Sequence, residues 1–102
     1  IGFNKMILNK EYIIDFLRKN REYLKQNFEV TSISLFGSFA RCEETEESDI
    51  DLLVEMPPDL HNLVGVINFL EKAFGRKVDI IRRRPNMHPR FTKHVMREKI
   101  NA

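Results

Sequence analysis

The sequence predicts an α+β fold: a small mixed three-stranded sheet with helices packed on it, in the order αβαβαβα. Three observations carry that expectation. Residues 10–28 and 60–74 repeat apolar side chains at helical spacing. Residues 30–36, 50–56 and Val78–Arg82 are short runs rich in Val, Ile, Leu and Phe. Pro57-Pro58, Gly75 and Pro85 punctuate the chain between these runs.

The first helix is expected over residues 10–28. Ile13, Phe16, Leu17 and Leu24 share one stripe, and Lys and Arg fill the opposite side. Tyr12 and Tyr23 on the same helix read as packing residues, with a modification site as the alternative for either. In the first strand, residues 30–36, Ile33 and Leu35 alternate with Ser32 and Ser34, which predicts one polar face. The strand breaks at Gly37-Ser38, where a small residue permits a tight turn or close approach by a ligand. Ser38 is a favoured N-cap, so residues 38–41 are expected to start a short helical turn whose N–H groups suit phosphate.

Residues 43–48 lack periodicity and read as a loop. In the second strand, residues 50–56, Ile50, Leu52 and Val54 face one way, and Asp51, Leu53 and Glu55 the other. Asp59 is placed to cap the next helix, whose predicted stripe is Leu60, Leu63, Val64, Ile67, Leu70 and Phe74. Gly75 stands where a left-handed C-terminal cap belongs. Val78–Arg82 forms the third strand, and residues 90–101 a basic helix with Phe91, Val95 and Ile100 as a weak apolar side.

With 102 residues, of which 42% are hydrophobic and 31% charged, the chain reads as one globular domain over residues 1–102. Residues 1–5 precede Met6, a candidate natural start, and carry no weight. No apolar run is long enough to cross a membrane and no secretory signal is visible. Cys42 is the only cysteine, which excludes an internal disulfide and a cysteine-based metal cluster and fits a cytoplasmic location. The net charge of +2 conceals an asymmetry. Residues 43–59 hold eight acidic side chains and no basic one, whereas residues 76–102 hold nine Lys or Arg against Asp79 and Glu98. An acidic middle suits hard cations, and a basic tail suits an anionic partner.

The chemistry concentrates in Gly37-Ser38 and in Asp49-Ile50-Asp51. In an extended strand Asp49 and Asp51 share a face with Cα atoms roughly 7 Å apart. Mg²⁺ takes one or two carboxylates together with water and substrate phosphate oxygens. Asp79, alone in an otherwise apolar strand, is the natural third carboxylate, because a buried charge needs a partner or a metal. The bland reading places it on a solvated sheet face. An isolated Asp-x-Asp or Gly-Ser turn is a weak signal. The combination is stronger: Asp49 follows Ser38 by eleven positions, and a third strand supplies another Asp.

Gly37-Ser38 with Asp49-Ile50-Asp51 resembles the signature of the polymerase-β-like nucleotidyltransferases. The fuller string Gly-Ser-Phe-Ala-Arg…Ser-Asp-Ile-Asp-Leu-Leu-Val is similar to that of the minimal nucleotidyltransferases, the MntA-type antitoxins encoded beside HEPN-domain toxins. That resemblance implies that Gly37 and Ser38 contact the phosphates of bound ATP. It implies that Asp49 and Asp51 coordinate two Mg²⁺ ions. Asp79 would complete a metal site and orient or deprotonate the acceptor hydroxyl, and Arg41 would steady phosphate or the loop. Cys42 departs from the pattern, standing where relatives commonly carry glycine.

The implied reaction is transfer of AMP from ATP to a hydroxyl, a tyrosine of a cognate HEPN ribonuclease toxin, in a hetero-oligomer with that toxin. The alternatives are a non-catalytic antitoxin that inhibits by binding, and a transferase acting on a small molecule or RNA. Arg82, Arg83 and Arg84 would guide the triphosphate, touch RNA, dock the toxin or lie in solvent. His61, His88 and His94 are scattered, and none has a partner at metal-ligand spacing.

Overall fold

A computed structural model describes residues 8–102. The expectation about residues 1–5 lies outside these. The described chain folds into helices α1 (Lys10–Lys19) and α2 (Arg21–Phe28), strand β1 (Ser32–Phe36) and the one-turn helix α3 (Gly37–Ala40). These are followed by β2 (Ile50–Glu55), α4 (Leu60–Phe74), β3 (Val78–Arg82), α5 (Pro89–Glu98) and β4 (Ile100–Asn101). The sheet order is β3-β2-β1-β4. β1 runs antiparallel to β2 and β4, and β2 runs parallel to β3. The α+β class and the mixed sheet are as expected, with a fourth strand added.

That strand replaces the end of the expected last helix. Lys99 leaves α5 in extended conformation, and Ile100 and Asn101 pair with Leu35 and Ser34 of β1. The single helix expected over residues 10–28 is two. Asn20 ends α1, its amide donating to the Phe16 carbonyl at 2.9 Å, and α2 starts at the next residue. The apolar stripe hides this break because Leu24 stays buried on the far side of it. Asn9, Asp59 and Gly75 cap as their chemistry dictates. Asn9 Oδ1 accepts from Tyr12 N–H at 2.8 Å, Asp59 Oδ1 accepts from Asn62 N–H at 3.1 Å, and Gly75 is left-handed at φ 63°.

α4 turns differently from its predicted stripe. Leu60 and Val64 are exposed, whereas Val66, Leu70 and Phe74 are buried. The helix rotates because Gly65 packs against the Phe28 ring: a Cβ there would lie 2.5 Å from Cε1. Only a residue without a side chain lets α2 and α4 approach so closely. Tyr12 and Tyr23 do pack, against Phe74 and Phe69 with ring centroids 6.4 and 4.7 Å apart.

The sheet is covered on both faces. Ile33, Leu35, Ile50, Leu52 and Val54 join the main core with α1, α2 and α4. Phe36 and Leu53, on the opposite face, enclose Val95 of α5 in a second, smaller core with Ile81 and Phe91. The expected polar face of β1 is therefore buried too. Ser34 satisfies its hydroxyl by donating to Asn101 Oδ1 at 2.8 Å.

Candidate active site

The site forms where β1 ends and β2 and β3 begin. In the β1–β2 register Phe36 faces Asp51, and in the parallel β2–β3 register Asp51 faces Asp79. The topology thus sets Asp51 and Asp79 on adjacent strands at the edge where Gly37 opens α3. Gly37 is buried, with φ 77°, and its missing Cβ makes room for the Asp51 carboxylate. Ser38 and Asp49 are half-buried, and Asp79 is exposed.

Asp79 therefore does not sit in a buried strand. β3 is an edge strand, and its Asp lies at the solvated rim. Its place at the site rests on the register and not on a burial cost. Asp51 carries the electrostatic signature. Burial first, then the charges of Asp79 and Asp49, push its pKa above the ordinary aspartate value. Glu98 adds to the rise, while the Arg41 guanidinium opposes it.

Asp49 precedes β2, with its Oδ2 3.9 Å from Lys77 Nζ. Among the described residues no three His, Cys, Asp or Glu side chains are gathered as a metal-holding group. The donor set nonetheless fits a hard cation. Asp51, Asp79 and Asp49 offer only oxygens, and their mutual repulsion at Asp51 is what a divalent ion relieves.

The acidic loop is tethered by the segment before β3. Arg76 Nη1 donates to the carbonyls of Thr45 at 3.2 Å and Ser48 at 2.8 Å. Its guanidinium also lies 5.7 Å from the Phe39 ring centroid of α3. Arg41 just follows α3, donating through Nε to Glu43 Oε1 at 2.7 Å and through Nη1 to Glu98 Oε1 at 3.2 Å. These two carboxylates, Glu43 first, raise the guanidinium pKa further. Cys42 is exposed and left-handed, with φ 59°. The turn after Arg41 thus keeps a conformation that favours glycine, although cysteine occupies it.

Sequence reading missed Glu98. A lone acid in a basic helix looks like a solvated charge, and its contact with Gly37 spans 61 positions. The arginine run proves remote from the site. Val54 pairs with Arg82 at the far end of β2, and Arg83 reaches Glu55 at 3.5 Å. Arg82 lies three residues beyond Asp79, roughly 10 Å along the strand, which argues against a role in guiding the triphosphate. His88 caps α5 by accepting from Arg90 N–H at 3.1 Å.

A Gly-led turn is thus held against Asp51, and Asp79 faces Asp51 from the adjacent strand. Residues 17–102 match the nucleotidyltransferase domain family, and the chain belongs to that family as an enzyme of the minimal nucleotidyltransferase group. A Methanocaldococcus jannaschii relative assigned as a protein adenylyltransferase is 41% identical over 92 residues, covering 86% of this chain and 92% of its own. Protein adenylyltransferase MntA of Thermococcus cleftensis is 31% identical over 96 residues, covering 92% and 96%.

Among solved structures, a minimal nucleotidyltransferase superposes with TM-score 0.69 at 32% identity, covering 93% of this chain and 97% of its own. A toxin–antitoxin complex with AMP-PNP superposes with TM-score 0.64 at 25% identity, covering 92% of this chain and 72% of its own. Among the described residues no helix is long and apolar enough to cross a membrane.

Proposed function

We propose that this chain is the antitoxin of a toxin–antitoxin pair and transfers AMP from ATP, with Mg²⁺, to a tyrosine hydroxyl of a cognate HEPN ribonuclease. The observation that carries the reading is the Asp51–Asp79 register beside Gly37. It brings carboxylates to the end of the sheet where Gly37 turns the backbone in a left-handed conformation, φ 77°. The relatives support adenylyl transfer and the antitoxin role: one is named a protein adenylyltransferase, and another was solved as a toxin–antitoxin with AMP-PNP.

Asp49, Asp51 and Asp79 would hold the metal, which neutralises phosphate charge and lowers the barrier to attack on phosphorus. Gly37 and Ser38 seat the phosphates, and Arg41 balances their charge from the rim. The acceptor oxygen forms a bond to the α-phosphorus while the bond to the β-phosphate oxygen breaks and pyrophosphate departs. Asp79, exposed at the edge strand, is open to the acceptor side and takes the hydroxyl proton. Positioning and charge neutralisation supply the rate. A location in the cytoplasm, where ATP and the toxin meet, completes the proposal.

The test incubates the purified chain with Mg²⁺, labelled ATP and the HEPN protein encoded beside it. Label on a toxin tyrosine, lost in the Asp49→Asn/Asp51→Asn double variant, is the expected result. No transfer, or transfer undiminished in the double variant, overturns the proposal. Full neutralisation of the toxin by that variant would identify a binding antitoxin instead.

A further inference from the structure

We infer that Glu98 is a positioning residue of the nucleotide site, clamping the Gly37–Arg41 turn from the last helical turn of α5. The inference rests on the proposal that this turn seats the phosphates of ATP. Glu98 Oε1 accepts from the Gly37 backbone N–H at 3.2 Å and from Arg41 Nη1 at 3.2 Å, and Oε2 lies 3.3 Å from the same Nη1. One carboxylate therefore ties both ends of the turn. Its side chain is only 15% exposed, so these are not contacts of a freely solvated charge. His94 Nε2, one turn earlier on α5, lies 3.5 Å from Oε2.

The placement of Glu98 is itself fixed from two sides. Val95, three residues earlier, is 1% exposed and packs with Phe36 and Leu53. Phe36 is the residue immediately before Gly37, so the core that seats α5 also seats the start of the turn. Two residues later β4 begins and pairs with β1. Glu98 is held at a junction and cannot drift without disturbing one of these.

A carboxylate at this point carries a penalty, since it adds to the repulsion that raises the Asp51 pKa. What offsets it is double acceptance: one group meets a backbone N–H and a guanidinium together. The clamp leaves Arg41 with Nε on Glu43 and Nη1 on Glu98. Glu98 acts through Gly37 and Arg41, not on the phosphate.

Amide hydrogen exchange over residues 37–41 and the dissociation constant for ATP·Mg²⁺ test this in the full chain and in Glu98→Ala and Glu98→Gln. In Glu98→Ala the Gly37 amide is expected to exchange faster, and ATP to bind about tenfold more weakly or worse. Glu98→Gln keeps an oxygen acceptor and is expected to recover most of the Gly37 protection, with binding intermediate. It also serves if the alanine variant fails to fold.

Wild-type exchange in both variants overturns the clamp, and faster exchange with unchanged ATP affinity overturns its role in positioning the nucleotide site. A wild-type chain that binds no ATP overturns the nucleotide reading instead, and the exchange data still decide whether the clamp exists.

Discussion

Gly37 is shaped around Asp51. A Cβ added at position 37 would overlap the Asp51 Oδ2 atom and lie 2.9 Å from its Cγ, and the backbone there is left-handed at φ 77°. Any L-residue at this position meets two objections at once. The backbone resists it, and the proposed metal-binding carboxylate already fills the space.

Gly37→Ala therefore damages the site more than the fold. The left-handed strain and the displaced carboxylate together cost about 1–3 kcal/mol of stability. The chain is expected to remain folded by circular dichroism, while adenylyl transfer falls by ~100-fold or more because Asp51 must rotate away from Asp79. Near-normal transfer in a folded Gly37→Ala protein would show that Asp51 does not need its present position.

Cys42 presents the opposite case. Its φ of 59° is one that glycine adopts freely, and the side chain is exposed with no bonded partner. Cys42→Gly is expected to relieve about 1–2 kcal/mol of backbone strain, less the extra chain entropy of glycine, for a net gain of ~0.5–1 kcal/mol. The thermal midpoint should rise by about 3–6 °C, with transfer activity unchanged. A lower midpoint would mean that the turn is not strained.

Asp51→Asn separates stability from function. Folding raises the Asp51 pKa through burial and the charges of Asp79 and Asp49, so the folded chain holds this proton more tightly than the unfolded one. The ionised form thus subtracts stability at neutral pH, and the loss fades as pH falls through the raised value toward 3.8. Asn carries no charge and is expected to stabilise the chain by ~0.5–1 kcal/mol at pH 7, discounted for partial exposure. That advantage should shrink progressively on acidification, and transfer should be abolished throughout. Chemical denaturation at a series of pH values measures it, and an advantage that grows on acidification contradicts the assignment.

What the sequence could disclose divides along local and non-local lines. The strands, the Asp59 and Gly75 caps and the Gly37-Ser38 break were legible because each depends on neighbours in the chain. The Asp49-Ile50-Asp51 motif was legible for the same reason. β4 was not, since two residues are too few to show a period and Ile100 pairs with a strand 65 positions earlier. The solvated position of Asp79 was legible only as one of two alternatives, because an apolar run reads alike in an edge and a central strand. Glu98 was hidden most deeply. Its role depends on α5 crossing the second face of the sheet, which no helical period announces.

Val95 turns that hidden packing into a measurable link. It is 1% exposed on α5 and is enclosed by Phe36 and Leu53, while Val66 of α4 is 0% exposed in the main core on the other face. Val95→Ala and Val66→Ala remove the same two methyl groups, and each is expected to cost about 1–3 kcal/mol. Only the first loosens the seat of Glu98. Val95→Ala should therefore speed exchange at Gly37 and weaken ATP binding, whereas Val66→Ala should lower the midpoint and leave both at wild-type values. The pair controls for stability, because a general loss of packing would move both proteins alike. Equal ATP affinities in the two variants would mean that α5 covers the sheet without setting the geometry of the Gly37 turn.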